Sequence, residues 1–182
     1  QGDQNSPLSP TNRRVVRQTT FGSAAVTPPQ VGSSVLFLQR ANRKLREYVY
    51  QFETDAYTAP DLAILSEHIT EGGVVDMAYQ QEPDSVVWMV RSDGVLLGMT
   101  YERAQDVVGW HRHIVGGADA KVESVSVIPN TTGSRDDLWA VVQRTINGQS
   151  VRYIEFLTPG MPEVTVNTTD ATDLDSMLTY NG

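Results

Sequence analysis

The string Trp110-His111-Arg112-His113 carries the most reactive side chains of the sequence. On a strand, His111 and His113 would point to one face, because side chains alternate, and two imidazoles on one face is a spacing that metal sites use. A catalytic zinc needs a third protein ligand. His68 is the one other histidine, with Asp or Glu as further candidates. Trp110 and Arg112 would fill the opposite face, which fits a sheet edge packed on a neighbour, with the histidines as ordinary hydrogen-bonding groups. That plainer reading outweighs a metal centre, since isolated motif matches often mislead.

Other catalytic chemistry is more weakly marked. Ser66 stands two residues before His68, but local adjacency does not make a triad, and no glycine-flanked serine elbow occurs. Gly72-Gly73 and Gly116-Gly117 each fall before an expected strand, where a tight turn is their simplest role. Asp76, Glu102 and Glu123 are scattered along strand-like runs, so no pair is placed at glycosidase separation. The absence of cysteine removes disulfides, thiol nucleophiles and cysteine-held zinc. The expectation is a protein without catalytic residues, cofactor or metal.

The elements that would position these groups read as strands. Phe37, Trp88 and Trp139 are spaced 51 residues apart, each after an aliphatic residue (Leu36, Val87, Leu138) in an apolar run followed by a turn and a second run. A fixed period of about 40 to 50 residues with several short strands per unit points to propeller blades. The predicted fold is all-β, with repeated four-stranded antiparallel sheets in a propeller-like arrangement of about three blades, either complete or part of a larger propeller. The units span about 33–69, 72–115 and 118–160. Strands are expected at 35–39, 45–52, 74–80, 86–91, 95–102, 107–115, 122–128, 138–145 and 151–157, with a weak one at 164–167. Asp93-Gly94 and Asn147-Gly148 read as hairpin turns. Residues 61–68 read as a short helix capped by Asp61 after Pro60. Phe37, Trp88 and Trp139 are expected as equivalent buried core positions.

Residues 1–32 read as an extended polar arm broken by Pro7, Pro10, Pro28 and Pro29, with one short strand at 23–27. Residues 161–182 read as a tail leading into a further region. The chain starts at Gln1 without methionine, and an excised or processed fragment is expected. No apolar run approaches the roughly 18 to 20 residues of a membrane span, and no signal peptide is evident, so a soluble chain is expected. The net charge of −8 argues against general nucleic-acid binding, which depends on Lys and Arg neutralising phosphates. Arg13, Arg14 and Arg17 share the first segment with Asp3 as its one acid, while Glu163, Asp170, Asp173 and Asp175 lie near the other end. Both ends are solvated on the plain reading; on the sharper one, the three arginines anchor the arm on an acidic neighbour.

Several strings resemble a family of tailed-bacteriophage structural proteins. They are Val35-Leu36-Phe37-Leu38-Gln39-Arg40, Leu45-Arg46-Glu47-Tyr48, Tyr57-Thr58-Ala59-Pro60-Asp61-Leu62, Leu65-Ser66-Glu67-His68-Ile69, Met77-Ala78-Tyr79-Gln80-Gln81-Glu82-Pro83, Gly98-Met99-Thr100-Tyr101-Glu102-Arg103 and Val107-Val108-Gly109-Trp110-His111-Arg112-His113. The resemblance runs from about residue 18 to 157, and 175–182 looks like the stretch that leaves this region in longer members. It implies a virion component of the short tail, the nozzle or hub, sometimes described as a packaged-DNA stabilisation protein, with a propeller-like portion. It further implies ring assembly from copies of the chain with other tail proteins, and DNA passing nearby without sequence-specific binding. The family offers no catalytic residues to carry over. A glycan- or protein-binding propeller module and, further off, a metal-dependent hydrolase are the competing classes.

Overall fold

The computed structural model describes residues 9–11 and 17–157. Eleven strands form three antiparallel sheets. The first holds β1 (Gln30–Val31), β2 (Ser34–Leu38), β3 (Leu45–Gln51) and β4 (Ala56–Thr58) in that order. The second holds β5 (Val74–Gln80), β6 (Val86–Arg91), β7 (Leu96–Glu102) and β8 (Val107–His113). The third holds β9 (Lys121–Pro129), β10 (Asp136–Ile146) and β11 (Gln149–Leu157), with β10 central. The architecture is all-β and repeated, and no sheet closes on itself among the described residues. No described helix is long and apolar enough to cross a membrane.

The second sheet is the middle layer, and the sequence says why. In β6 the run Val86-Val87-Trp88-Met89-Val90 is apolar on both parities, and every one of these residues is buried, as a strand covered on both faces requires. Val87 and Met89 join Leu36, Leu38 and Leu45 of the first sheet in one core cluster. Val86, Trp88 and Val90 join Val122, Val125, Leu138 and Val142 of the third sheet in another. Hydrogen bonds at both ends tie the second and third layers: the Val125 amide donates to Asp76 at 3.0 Å, the Val122 amide donates to the Gly94 carbonyl at 2.9 Å, and Asp136 of β10 accepts from the Gln81 and Glu82 amides at 2.8 and 3.1 Å while its own amide donates to the Glu82 carbonyl at 2.9 Å. Gly94 has φ +91°, and a Cβ there would come within 2.5 Å of Lys121, so the hairpin both needs and exploits a missing side chain.

Several expectations need correction. Residues 61–68 form no helix. The Leu62 amide donates to the Leu45 carbonyl at 2.8 Å and Arg46 bridges Asp61, so the segment is held against β3 and continues as successive tight turns. The strand expected at 23–27 is a single bridge between Ser23 and Gln39. Strands β1 and β4 were not legible, being two and three residues long. The strand at 164–167 lies outside the described residues.

The 51-residue spacing aligns strands but not faces. Phe37, Trp88 and Trp139 all lie on the second strand of their sheets in chain order. Trp88 faces the third sheet, and Trp139, opposite in parity to buried Leu138, faces away from the second sheet. Phe37 is out of phase: Leu36 and Leu38 enter the core shared with the second sheet, so Phe37 points to the outer face of the first. A one-residue change of phase turns a strand over, and the first sheet can cover the free face of β6 only with its Leu36 side. Phe37 and Trp88 are buried at 8% and 6% exposure. Trp139 departs from the expectation and is half-buried, its ring beside the exposed Phe156 at 5.2 Å.

Candidate interaction surface

His111 and His113 do share a face. His111 Nδ1 lies 2.8 Å from His113 Nε2, and both rings lean on Trp88, with centroids 5.6 and 5.3 Å away. The row Trp88, Gly98, His111 crosses β6, β7 and β8. Gly98 makes the arrangement possible: a Cβ there would sit 2.0 Å from the His111 ring. Burial, followed by the neighbouring His113, pushes the His111 pKa down, as expected for an imidazole removed from water beside a second one. The Trp88 indole N–H donates to Gln80 Oε1 at 2.9 Å. On the opposite face, the Trp110 indole N–H donates to the Leu62 carbonyl at 3.0 Å. His68 is exposed in the loop after the first sheet. Among the described residues, no group of three or more His, Cys, Asp or Glu is placed to hold a metal ion.

Of the arm arginines, Arg17 is exposed, its Nε donating to the Thr19 carbonyl at 3.2 Å; Arg13 and Arg14 lie outside the described residues. Glu47 went unnoticed in the sequence. It is fully buried on β3, accepts a 2.7 Å hydrogen bond from Ser34, and is paired with Arg103, which reaches across from the end of β7. This pair latches the first sheet to the second. Its signal is Glu47 sharing the parity of Leu45, a carboxylate on a core face, which demands a cation or donors nearby.

Among the described residues, the layers leave parts of the two ends of the stack uncovered, although on the outer face of the first sheet Phe37 is buried and its neighbour Arg46 lies over the Phe21 ring of the arm. On the third sheet, Trp139 pairs across strands with Phe156 and Val141 with Ile154, and Ile154 and Phe156 are 75% and 47% exposed. Ile128, opposite Asp137, extends this apolar face. Its border is charge-balanced. Arg135 Nε meets Asp137 at 2.8 Å, and Arg152 grips Glu123 through two bonds of 2.7 and 2.9 Å. The Arg152 pairing holds the Glu123 carboxyl below its ordinary range. At the other end, the outer face of the first sheet carries Tyr48, Tyr50 and Tyr57. Tyr48 and Tyr57 stack at 4.7 Å, and Tyr50 meets Tyr57 edge-on at 5.3 Å. A hydrogen bond to Asp55, more than burial, raises the Tyr50 pKa. Beside it, a cleft of about 860 Å³ is lined by Tyr50, Phe52, Glu53, Pro60 and Arg103 among others.

The sequence did signal the third-sheet face. Leu138-Trp139-Ala140-Val141-Val142 is apolar on both parities, like β6, yet only one face is covered by described residues. In comparisons with known proteins, no family model matches the sequence, and no curated protein matches it either.

Proposed function

We propose that this chain is a structural module of a bacteriophage short tail, in the nozzle or hub region, where it forms part of a ring or conduit for DNA. The observation that carries the reading is the three-layer stack with aromatic faces exposed at both ends. Contiguous exposed apolar patches of this kind mark protein contact surfaces. The resemblance of seven strings between residues 35 and 113 supplies the virion setting. The module acts through contacts with copies of itself and with adjoining tail proteins, not through catalysis. A net charge of −8 suits a conduit wall, because an acidic surface repels phosphates over the roughly 8 to 10 Å that salt leaves unscreened.

Mass spectrometry of purified tailed particles from a host culture producing this chain tests the reading. Peptides from residues 17–157 at a fixed copy number per particle are expected, and their absence from particles would refute it. A recognition module is favoured by one feature, the cleft beside Phe52, whose ring is 84% exposed. Binding on a glycan array that disappears in Phe52→Ala would support that alternative. Elemental analysis bears on the hydrolase reading: one zinc per chain, lost in a His111→Ala, His113→Ala double variant, would favour it.

A further inference from the structure

One turn of the chain is built twice. Phe52–Thr54 and Arg103–Gln105 are single 3-10 turns that join the third strand of a sheet to its fourth, β3 to β4 and β7 to β8. They begin 51 residues apart, the repeat spacing, and each closes on an aspartate in the left-handed region, Asp55 at φ 48° and Asp106 at φ 55°, whose amide donates to the first carbonyl of the turn. The strand pairs beside them match as well: Tyr50 lies opposite Tyr57 as Tyr101 lies opposite Val108. Phe52 and Arg103 therefore hold the same place in successive sheets. In the second sheet this place is a latch. Tyr101 enters the core shared with the first sheet, and Arg103, two residues on, reaches that sheet too and is held by the buried Glu47. Phe52 stands in that place one sheet earlier, and no sheet precedes it among the described residues. Its ring is 84% exposed, with Tyr50 and Tyr57 at 44% and 40%. The arm's Phe21 lies under Arg46 at the start of β3, whereas Phe52 follows the end of that strand.

We propose that Phe52 anchors this chain on an adjoining protein by inserting into an apolar pocket on a β-sheet face of that partner. This rests on the reading of the chain as a module that works through contacts with other tail proteins, and it names the residue and the kind of partner. The pocket is uncharged at the place that Glu47 occupies in the internal seam, because a phenyl ring cannot neutralise a buried carboxylate as Arg103 does. Lys or Arg borders it, since Glu53, next to Phe52, is exposed and has no cation among the described residues. The Trp139 face of a second copy fits this poorly, its Arg135 and Arg152 being already paired with carboxylates. Aromatic side chains that enter desolvated pockets carry much of the binding energy of protein contacts.

Photo-crosslinking in assembled particles provides the test. The full chain carrying Phe52→p-benzoylphenylalanine is taken into tailed particles, irradiated and digested, with Thr131→p-benzoylphenylalanine, at an exposed loop position, as the control. Cross-links from position 52 are expected to join a strand residue of a different polypeptide, and to exceed those from position 131. Phe52→Glu should lower incorporation into particles by about tenfold or more, as loss of an aromatic anchor does. Phe52→Leu, which still fills an apolar pocket, should lose less. The ring is exposed in the isolated chain, so both variants should keep the thermal midpoint of wild type; if Phe52→Glu does not fold, Phe52→Ser replaces it. Normal incorporation of Phe52→Glu, cross-linking no more frequent than at position 131, or cross-links only to a second copy or to DNA would overturn the proposal. Particles that lack the wild-type chain refute the virion reading, whereas particles that contain it and take up Phe52→Glu equally well refute the anchor alone.

Discussion

Truncating Trp88 to Ala tests the layered core at its centre. The ring is 6% exposed, sits between β6 and the third sheet, touches both His111 and His113, and donates to Gln80. Burying about 150 to 250 Å² at about 25 cal/mol per Å² corresponds to about 4 to 6 kcal/mol, of which the remaining Cβ keeps a part. Large-to-small changes of this kind cost about 3 to 5 kcal/mol. The lost indole bond adds about 1 kcal/mol at most, because Gln80 is half-buried and water can take its oxygen. The expected loss is therefore about 4 kcal/mol. Trp139→Ala, on the outer face, should lose about 1 kcal/mol when measured at concentrations where the chain is monomeric. Urea unfolding of both variants, read as a shift in midpoint at constant slope, makes the comparison. Equal losses, or a Trp88→Ala loss below about 1 kcal/mol, would refute the assignment of faces.

Gly98→Ala should destabilise by about 1 to 3 kcal/mol, since its new methyl collides with the His111 ring; adding His111→Ala should restore part of the loss, giving a coupling of at least about 0.5 kcal/mol in a double-mutant cycle. The depressed His111 pKa means that the unfolded chain binds the proton more readily, so this group's stabilisation is present above pH 6.5 and is lost as pH falls through its lower folded value. Thermal unfolding at a series of pH values should accordingly show a steeper acid-side decline in wild type than in His111→Gln. Arg103→Ala leaves Glu47 buried without its cation and should cost about 2 to 3 kcal/mol, below the range for fully buried pairs because Arg103 is more than half exposed. Combining it with Glu47→Gln should cost less than Arg103→Ala alone, as chemical denaturation can establish.

Most strands of the second and third sheets were legible because their runs of Val, Leu, Met and Trp are long and bounded by turns such as Asn147-Gly148. Strand β4 was not, since Ala56-Tyr57-Thr58 gains its identity from pairing with β3 and not from its own pattern. The supposed helix after Pro60 failed for the same reason: tertiary pairing of Asp61 and Leu62 with β3 overrides a local capping signal. The spacing of Phe37, Trp88 and Trp139 located equivalent strands, but which side faces a neighbour depends on what that neighbour offers, and this a period cannot encode. The His111–His113 pair was correctly placed on one face from alternation alone, while its contact with Trp88 depends on Gly98, the residue between Trp88 and His111 on β7. Tyr57 and Ile154, both on the exposed ends, drew no notice because single apolar residues on strands are common; only the double-sided apolar pattern of β10 pointed to a covered surface.

The most direct measurement is a cryo-electron microscopy map of intact tailed particles containing this chain, at a resolution that distinguishes sheets. The account predicts density for the three-sheet stack at the short tail, with the exposed Trp139 face of each copy covered by a neighbouring tail protein or copy. A map that places the chain outside the tail, or shows both end faces exposed to solvent in every copy, would contradict it.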